Sequence, residues 1–70
     1  MQPQHHTTMI RIDEVCRRTG LSKSHIHRLI SDAAFPPAVK LSARAVGWVE
    51  RDVEQWIQRQ IEMSNQDSRR

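Results

Sequence analysis

The three residues Gly20-Leu21-Ser22 constrain this chain more than any others, because they stop one amphipathic run and start the next. Glycine accepts the left-handed backbone that ends a helix. Ser22 offers a side-chain oxygen to an unpaired N–H in the first turn of the helix that follows. A stop and a start this close together make a helix-turn-helix. In the second run Ile26, Leu29, Ile30 and Ala33 fall at i, i+3, i+4 and i+7, a single stripe facing a core. At about 100° per residue, Ser24, Arg28 and Ser31 point the opposite way. His27 flanks them, and Lys23 sits at the N-terminal end. Such a helix packs on one side and meets a polyanion on the other, the layout of a recognition helix in the DNA major groove.

The chain around this stretch supplies the partners. Met9-Ile10-Arg11-Ile12 alternates apolar and polar and reads as extended. Asp13 is placed to cap the first helix, in which Ile12, Val15, Cys16 and Thr19 share a face while Arg17 and Arg18 point away. Leu21 fills the corner between the helices. Pro36 turns Phe35 out of the helical region, so the second helix ends near Ala33 or Ala34, and Phe35 plugs the core at that exit. Val39-Lys40-Leu41 and Val46-Gly47-Trp48-Val49 flank the loop Ser42-Ala43-Arg44-Ala45 and read as a β-hairpin. Val39, Leu41, Val46 and Trp48 are expected to face inward, leaving Lys40 exposed and Arg44 near the tip. A last helix begins near Glu50, with a stripe of Val53, Trp56, Ile57 and Ile61, and runs out near Met63. The fold class is therefore mainly α with a small β-hairpin, in the order helix-turn-helix-hairpin-helix, a winged helix-turn-helix. Residues 9–63 form the domain. Residues 1–8 and 64–70, polar and without apolar periodicity, are expected as disordered tails.

A body of this size holds a small binding surface but hardly a deep pocket. It shows no phosphate loop, no glycine-rich fingerprint and no paired carboxylates placed for a cleft, so catalysis has no residues to carry it. Cys16 is the single cysteine, which excludes an internal disulfide, suits a reducing compartment, and reads as a small buried hydrophobe. His25 and His27, two apart on a helix, diverge by about 200° and cannot share one ion. No second Cys or His stands at zinc-finger spacing from Cys16, His5 or His6, so no metal and no cofactor are expected. Trp48 and Trp56 lie on apolar stripes and read as core, with indole N–H groups that need partners.

The formal net charge is only +3, but from Cys16 to Trp48 the bases Arg17, Arg18, Lys23, Arg28, Lys40 and Arg44 meet one acid, Asp32. This asymmetry is either a solvated surface or one face for an anionic partner. No apolar run approaches the length of a membrane span, and no signal peptide is visible, so a soluble cytoplasmic protein is expected.

The run Thr19-Gly20-Leu21-Ser22-Lys23-Ser24, then Ile26, Arg28-Leu29-Ile30, Phe35-Pro36, Val39-Lys40-Leu41, Arg44-Ala45-Val46-Gly47-Trp48 and Glu54-Gln55-Trp56-Ile57 resembles the AlpA family over about Met9 to Ile61. These are small phage- and prophage-encoded DNA-binding regulators whose fold is similar to the N-terminal domain of MerR proteins. The resemblance implies a transcriptional regulator. Relatives in the same fold group act as excisionases, architectural proteins that bend DNA at an attachment site, and this is the alternative output. The resemblance places DNA contacts at Ser22, Lys23, Ser24, His27 and Arg28 on the recognition helix, and at Lys40 and Arg44 on the wing. This chain departs from the family at His25 and His27, where threonine and tyrosine are common. It departs again at Ser42-Ala43, where the turn is often glycine-rich, and at Pro37-Ala38.

Together these readings describe a sequence-specific double-stranded DNA binder, with further contacts open at Arg17, Arg18 and Ser31. One helix reads few base pairs, so a homodimer or cooperative copies on repeated sites are expected. No effector domain and no small-molecule inducer are expected. A protein-interaction module turned toward an acidic partner is the reading from another class.

Overall fold

The computed structural model describes residues 7–68. Six elements follow in order: β1 (Met9–Ile10), α1 (Ile12–Thr19), α2 (Lys23–Ser31), β2 (Val39–Ser42), β3 (Ala45–Val49) and α3 (Glu50–Ser68). Three helices and a three-stranded antiparallel sheet result, an architecture compatible with a helix-turn-helix followed by a hairpin.

The turn between α1 and α2 follows from its residues. Gly20 closes α1 at φ 78°, donating its N–H to the Cys16 carbonyl at 2.8 Å. The Ser22 hydroxyl accepts from the His25 N–H at 3.1 Å and caps α2. Between them Thr19 carries a bond not anticipated from the stripe. Its hydroxyl donates to the Val15 carbonyl at 2.9 Å and accepts from the Leu21 N–H at 3.2 Å, fixing the corner that Leu21 fills. Asp13 is not the cap of α1. Arg11 holds that position without a side-chain bond, and Asp13 lies in the first turn with Glu14, where both acids favour the positive helix end.

Helix α2 ends earlier than the apolar stripe predicts. Ser31 is its last helical residue, and Ala33 adopts φ 58°, the only positive φ outside glycine among the described residues. The Ala33 N–H donates to Ile30 and the Ala34 N–H to Leu29, at 3.0 and 2.8 Å, the paired bonds of a Schellman motif. Ala33 thus stands exposed, off the stripe, in a conformation that favours glycine. Ala33→Gly should therefore stabilise the fold by about 0.5–1 kcal/mol. Urea unfolding checks this, and a midpoint unchanged or lowered would contradict it.

The sheet order is β1-β3-β2. The expected two-stranded hairpin gains a third strand, because Met9 pairs with Val49 and Ile10 with Trp48. The Glu50 N–H also donates to the Thr8 carbonyl at 2.8 Å, so the expected tail is already tied down at Thr8. Ser42 pairs with Ala45, which shortens the expected loop to a turn of Ala43 and Arg44.

Register overturns one expectation about this hairpin. Val39 pairs with Gly47 and Lys40 with Val46, with a bulge between Lys40 and Ser42. Since paired residues share a face, Val39 lies on the side opposite Trp48. Leu41 lies against Gly47, where a Cβ would meet its side chain at 3.0 Å and the Ile10 carbonyl at 3.1 Å. Val39, Leu41 and Val46 remain 42%, 43% and 43% exposed, and only Trp48 of the expected four is buried.

The core comprises Ile10, Val15, Ile26, Phe35, Trp48 and Val53, with Ile12, Cys16, Leu21, Leu29, Ile30, Trp56 and Ile57 packed around it. Helix α3 enters this core at Val53 and then leaves it. Ile61 and Met63 are 47% and 57% exposed, and the helix continues through Ser68 rather than ending near Met63. The sequence from Ser64 is polar but holds no glycine or proline, so nothing interrupts a helix already nucleated on the core. Residues 1–6 and 69–70 lie outside the described residues, and with them the rest of the expected tails, including His5 and His6. No helix among the described residues is long and apolar enough to cross a membrane.

Candidate nucleic-acid interface

Helix α2 separates two chemistries. Ile26 is fully buried, Leu29 and Ile30 are half-buried, and Lys23, Ser24, His25, His27, Arg28 and Ser31 are exposed. The stripe holds one side of the helix on α1 and the core, so the opposite side is presented as a fixed surface. The structure brings Ser24, Arg28 and Ser31 together at its centre, with His27 and Lys23 at its flank. Ser22 uses its hydroxyl oxygen as the cap, which leaves the hydroxyl hydrogen as a donor.

In the hairpin, Lys40 lies on the sheet face that carries Trp48 and the helices, and Arg44 occupies the turn. Both are exposed. None of Lys23, Arg28, Lys40 and Arg44 makes an ion pair or a side-chain hydrogen bond among the described residues. These four cations therefore keep their full donor capacity for an anion.

Arg17 and Arg18 differ. The Arg17 guanidinium grips Glu14 through two nitrogens, at 3.0 and 2.5 Å. Arg18 is 23% exposed and reaches three carboxylates: Glu14 at 2.7 Å, Glu54 at 2.7 Å and Glu50 at 3.0 Å. The hydrogen bonds from Arg17 and then Arg18 lower the Glu14 carboxyl to about 2, and the same carboxylate raises both guanidinium groups above their ordinary range. Arg18 thus acts as a clasp between α1 and the start of α3, not as a free cation. The Glu14 spacing at i+3 and i+4 is a sequence signal for this pairing. The Glu50 and Glu54 contacts needed the fold.

Residues 8–61 match the family of the prophage CP4-57 regulatory protein, AlpA. The chain belongs to that family. The AlpA match spans both α2 and the hairpin, and agrees with the extent over which the sequence resembles the family. Among relatives, an uncharacterised protein of Enterobacteria phage P4, ORF88, is 40% identical over 48 residues, covering 69% of this chain and 54% of the phage protein. The aligned part is thus about half of that relative's length. The DNA-binding transcriptional activator AlpA of Escherichia coli (strain K12) is 25% identical over 61 residues, covering 79% of this chain and 87% of the activator.

Proposed function

We propose that this AlpA-family protein is a phage-type transcriptional regulator that binds double-stranded DNA as a winged helix-turn-helix of the MerR kind. In this reading α2 is the recognition helix in the major groove, and the β2–β3 hairpin is the wing on the backbone. The observation that carries it is the set of four unpaired, exposed cations, Lys23, Arg28, Lys40 and Arg44, distributed over those two elements. Lys23, Lys40 and Arg44 neutralise phosphates, Ser22 donates to one, and Ser24, His27 and Arg28 face base edges. Ser31, at the far end of the same face, is a peripheral contact. Arg17 keeps an exposed guanidinium beside its pair with Glu14 and serves at most at the margin, whereas the clasp withdraws Arg18. Because one helix spans few base pairs, two or more copies bind together, acting on the bacterial nucleoid in the cytoplasm.

The test is selection of a duplex from a random library, followed by titration of that duplex at several salt concentrations. Log affinity should fall linearly with log salt, with a slope of about −0.9 per phosphate neutralised. Lys23→Ala should make that slope shallower by about 1 without changing which sequence is preferred. No binding to duplex DNA even at low salt would overturn the reading in favour of an acidic protein partner.

A further inference from the structure

We infer that the Trp56 indole positions the hairpin relative to α2, so that DNA affinity depends on a side chain that does not face the DNA. The inference rests on the reading of α2 and the hairpin as two parts of one interface.

The two elements share α1 and the core around Ile26 and Trp48, and differ in their other neighbours. Helix α2 packs on α1, while β3 packs on β1, α1 and α3. The link between them, residues 32–38, has neither helix nor strand bonding. Its geometry is instead fixed at successive points. The Ala33 and Ala34 N–H groups are held by α2 through Ile30 and Leu29. The Ala34 carbonyl accepts from Trp56 Nε1 at 2.8 Å, and the Pro36 carbonyl accepts from Trp48 Nε1 at 3.2 Å. Between them the Phe35 ring is buried, edge-on to Trp56 with centroids 4.8 Å apart at 64°. Pro36 and Pro37 fix φ at the next two positions.

The Trp48 bond cannot be separated from the core, but the Trp56 bond can. Trp56 is half-buried and Ala34 is exposed, so water can satisfy that carbonyl if the indole N–H is removed. Burial therefore does not require this bond. What it does supply is a fixed point, anchored in α3, where the chain leaves α2 for the hairpin. Two contacts on one duplex bind more tightly when the protein already holds their spacing. Loosening the link lowers the contribution of Lys40 and Arg44 without touching either.

The experiment replaces Trp56 by benzothienylalanine in a chain assembled by peptide synthesis, exchanging the indole N–H for sulfur while keeping its shape. Trp56→Phe is the recombinant counterpart, and the synthetic variant decides if Trp56→Phe fails to fold. Each is titrated against the duplex selected by the native chain, with and without the double substitution K40A/R44A. Affinity should fall by about three- to tenfold, a loss of preorganisation. The penalty of K40A/R44A should shrink by the same factor in that background, because the two changes act on one contact. Unchanged affinity, or equal losses with and without the hairpin cations, would overturn the inference. Amide nitrogen relaxation in the free protein tests the clamp separately. Ala43 and Arg44 should move from order parameters of about 0.85 toward 0.6 in the variant, and unchanged values overturn the clamp. If K40A/R44A costs nothing in the native chain, the wing reading fails, and the relaxation result still decides the clamp.

Discussion

Trp48→Ala should abolish the cooperative fold, giving a chain with little far-UV helical signal and no cooperative urea transition. Trp48 is 1% exposed and is the largest of the fully buried side chains, set among Ile10, Val15, Ile26, Phe35 and Val53. Truncating a buried tryptophan costs about 3–5 kcal/mol, the transfer of its atoms plus the cavity left behind. A domain of this size rarely draws more than about 3–5 kcal/mol from its core, so the loss is comparable to the whole. Collapse of the neighbours cannot refill the site, because three elements meet there. Ile10 pairs with Trp48 across the sheet, and Val15 and Val53 enter from α1 and α3. The substitution also deprives the Pro36 carbonyl of its donor, freeing the link to the hairpin. Trp48→Phe keeps most of the volume and should unfold cooperatively at lower urea, which separates cavity from contact. A Trp48→Ala chain that melts within about 1 kcal/mol of the native protein would show that the core closes without this residue.

The helical half of the fold is legible in the sequence because its determinants are local. Gly20 and Ser22 act on N–H and carbonyl groups a few residues away, and the stripe of Ile26, Leu29 and Ile30 selects the buried face of α2 directly. That same stripe defines the outward face by elimination, so the candidate site on α2 follows without tertiary information. The hairpin is different. Its alternation of Val39, Leu41, Val46 and Trp48 suggests one apolar side, but the register depends on a bulge at Leu41 and on β1, residues distant in sequence. Three of those four apolar residues consequently stay in solvent. Helix α3 shows the converse limit. An apolar stripe reports where a helix packs, not where it stops, and α3 continues past its last packed turn to Ser68. Arg18 fails as a free cation for a related reason, whereas the Arg17 pair with Glu14 is local and legible in the i,i+3 spacing. Charge along the sequence shows which residues are basic, but the fold decides that Glu50 and Glu54 come to Arg18.

Arg28→Ala should weaken binding to the selected duplex by about 1–3 kcal/mol, while binding to random duplex falls much less. Arg28 is exposed on the outward face of α2 and free of ion pairs among the described residues. Its planar fork is therefore available to accept-site pairs such as O6 and N7 of one guanine, a geometry that lysine cannot reproduce. The fold should be indifferent to the change, with urea midpoints equivalent to about ±0.5 kcal/mol, because the side chain points away from Ile26 and the core. Arg28→Lys completes the argument. It retains the charge, so its salt slope and its affinity for random DNA should match the native chain, yet discrimination at one base position should relax. Equal losses on selected and random DNA for Arg28→Ala, with native behaviour for Arg28→Lys, would place Arg28 on a phosphate instead. Sequence reading would then belong to Ser24 and His27, whose hydroxyl and imidazole share the same face, and substituting them should move the preferred sequence where Arg28 does not.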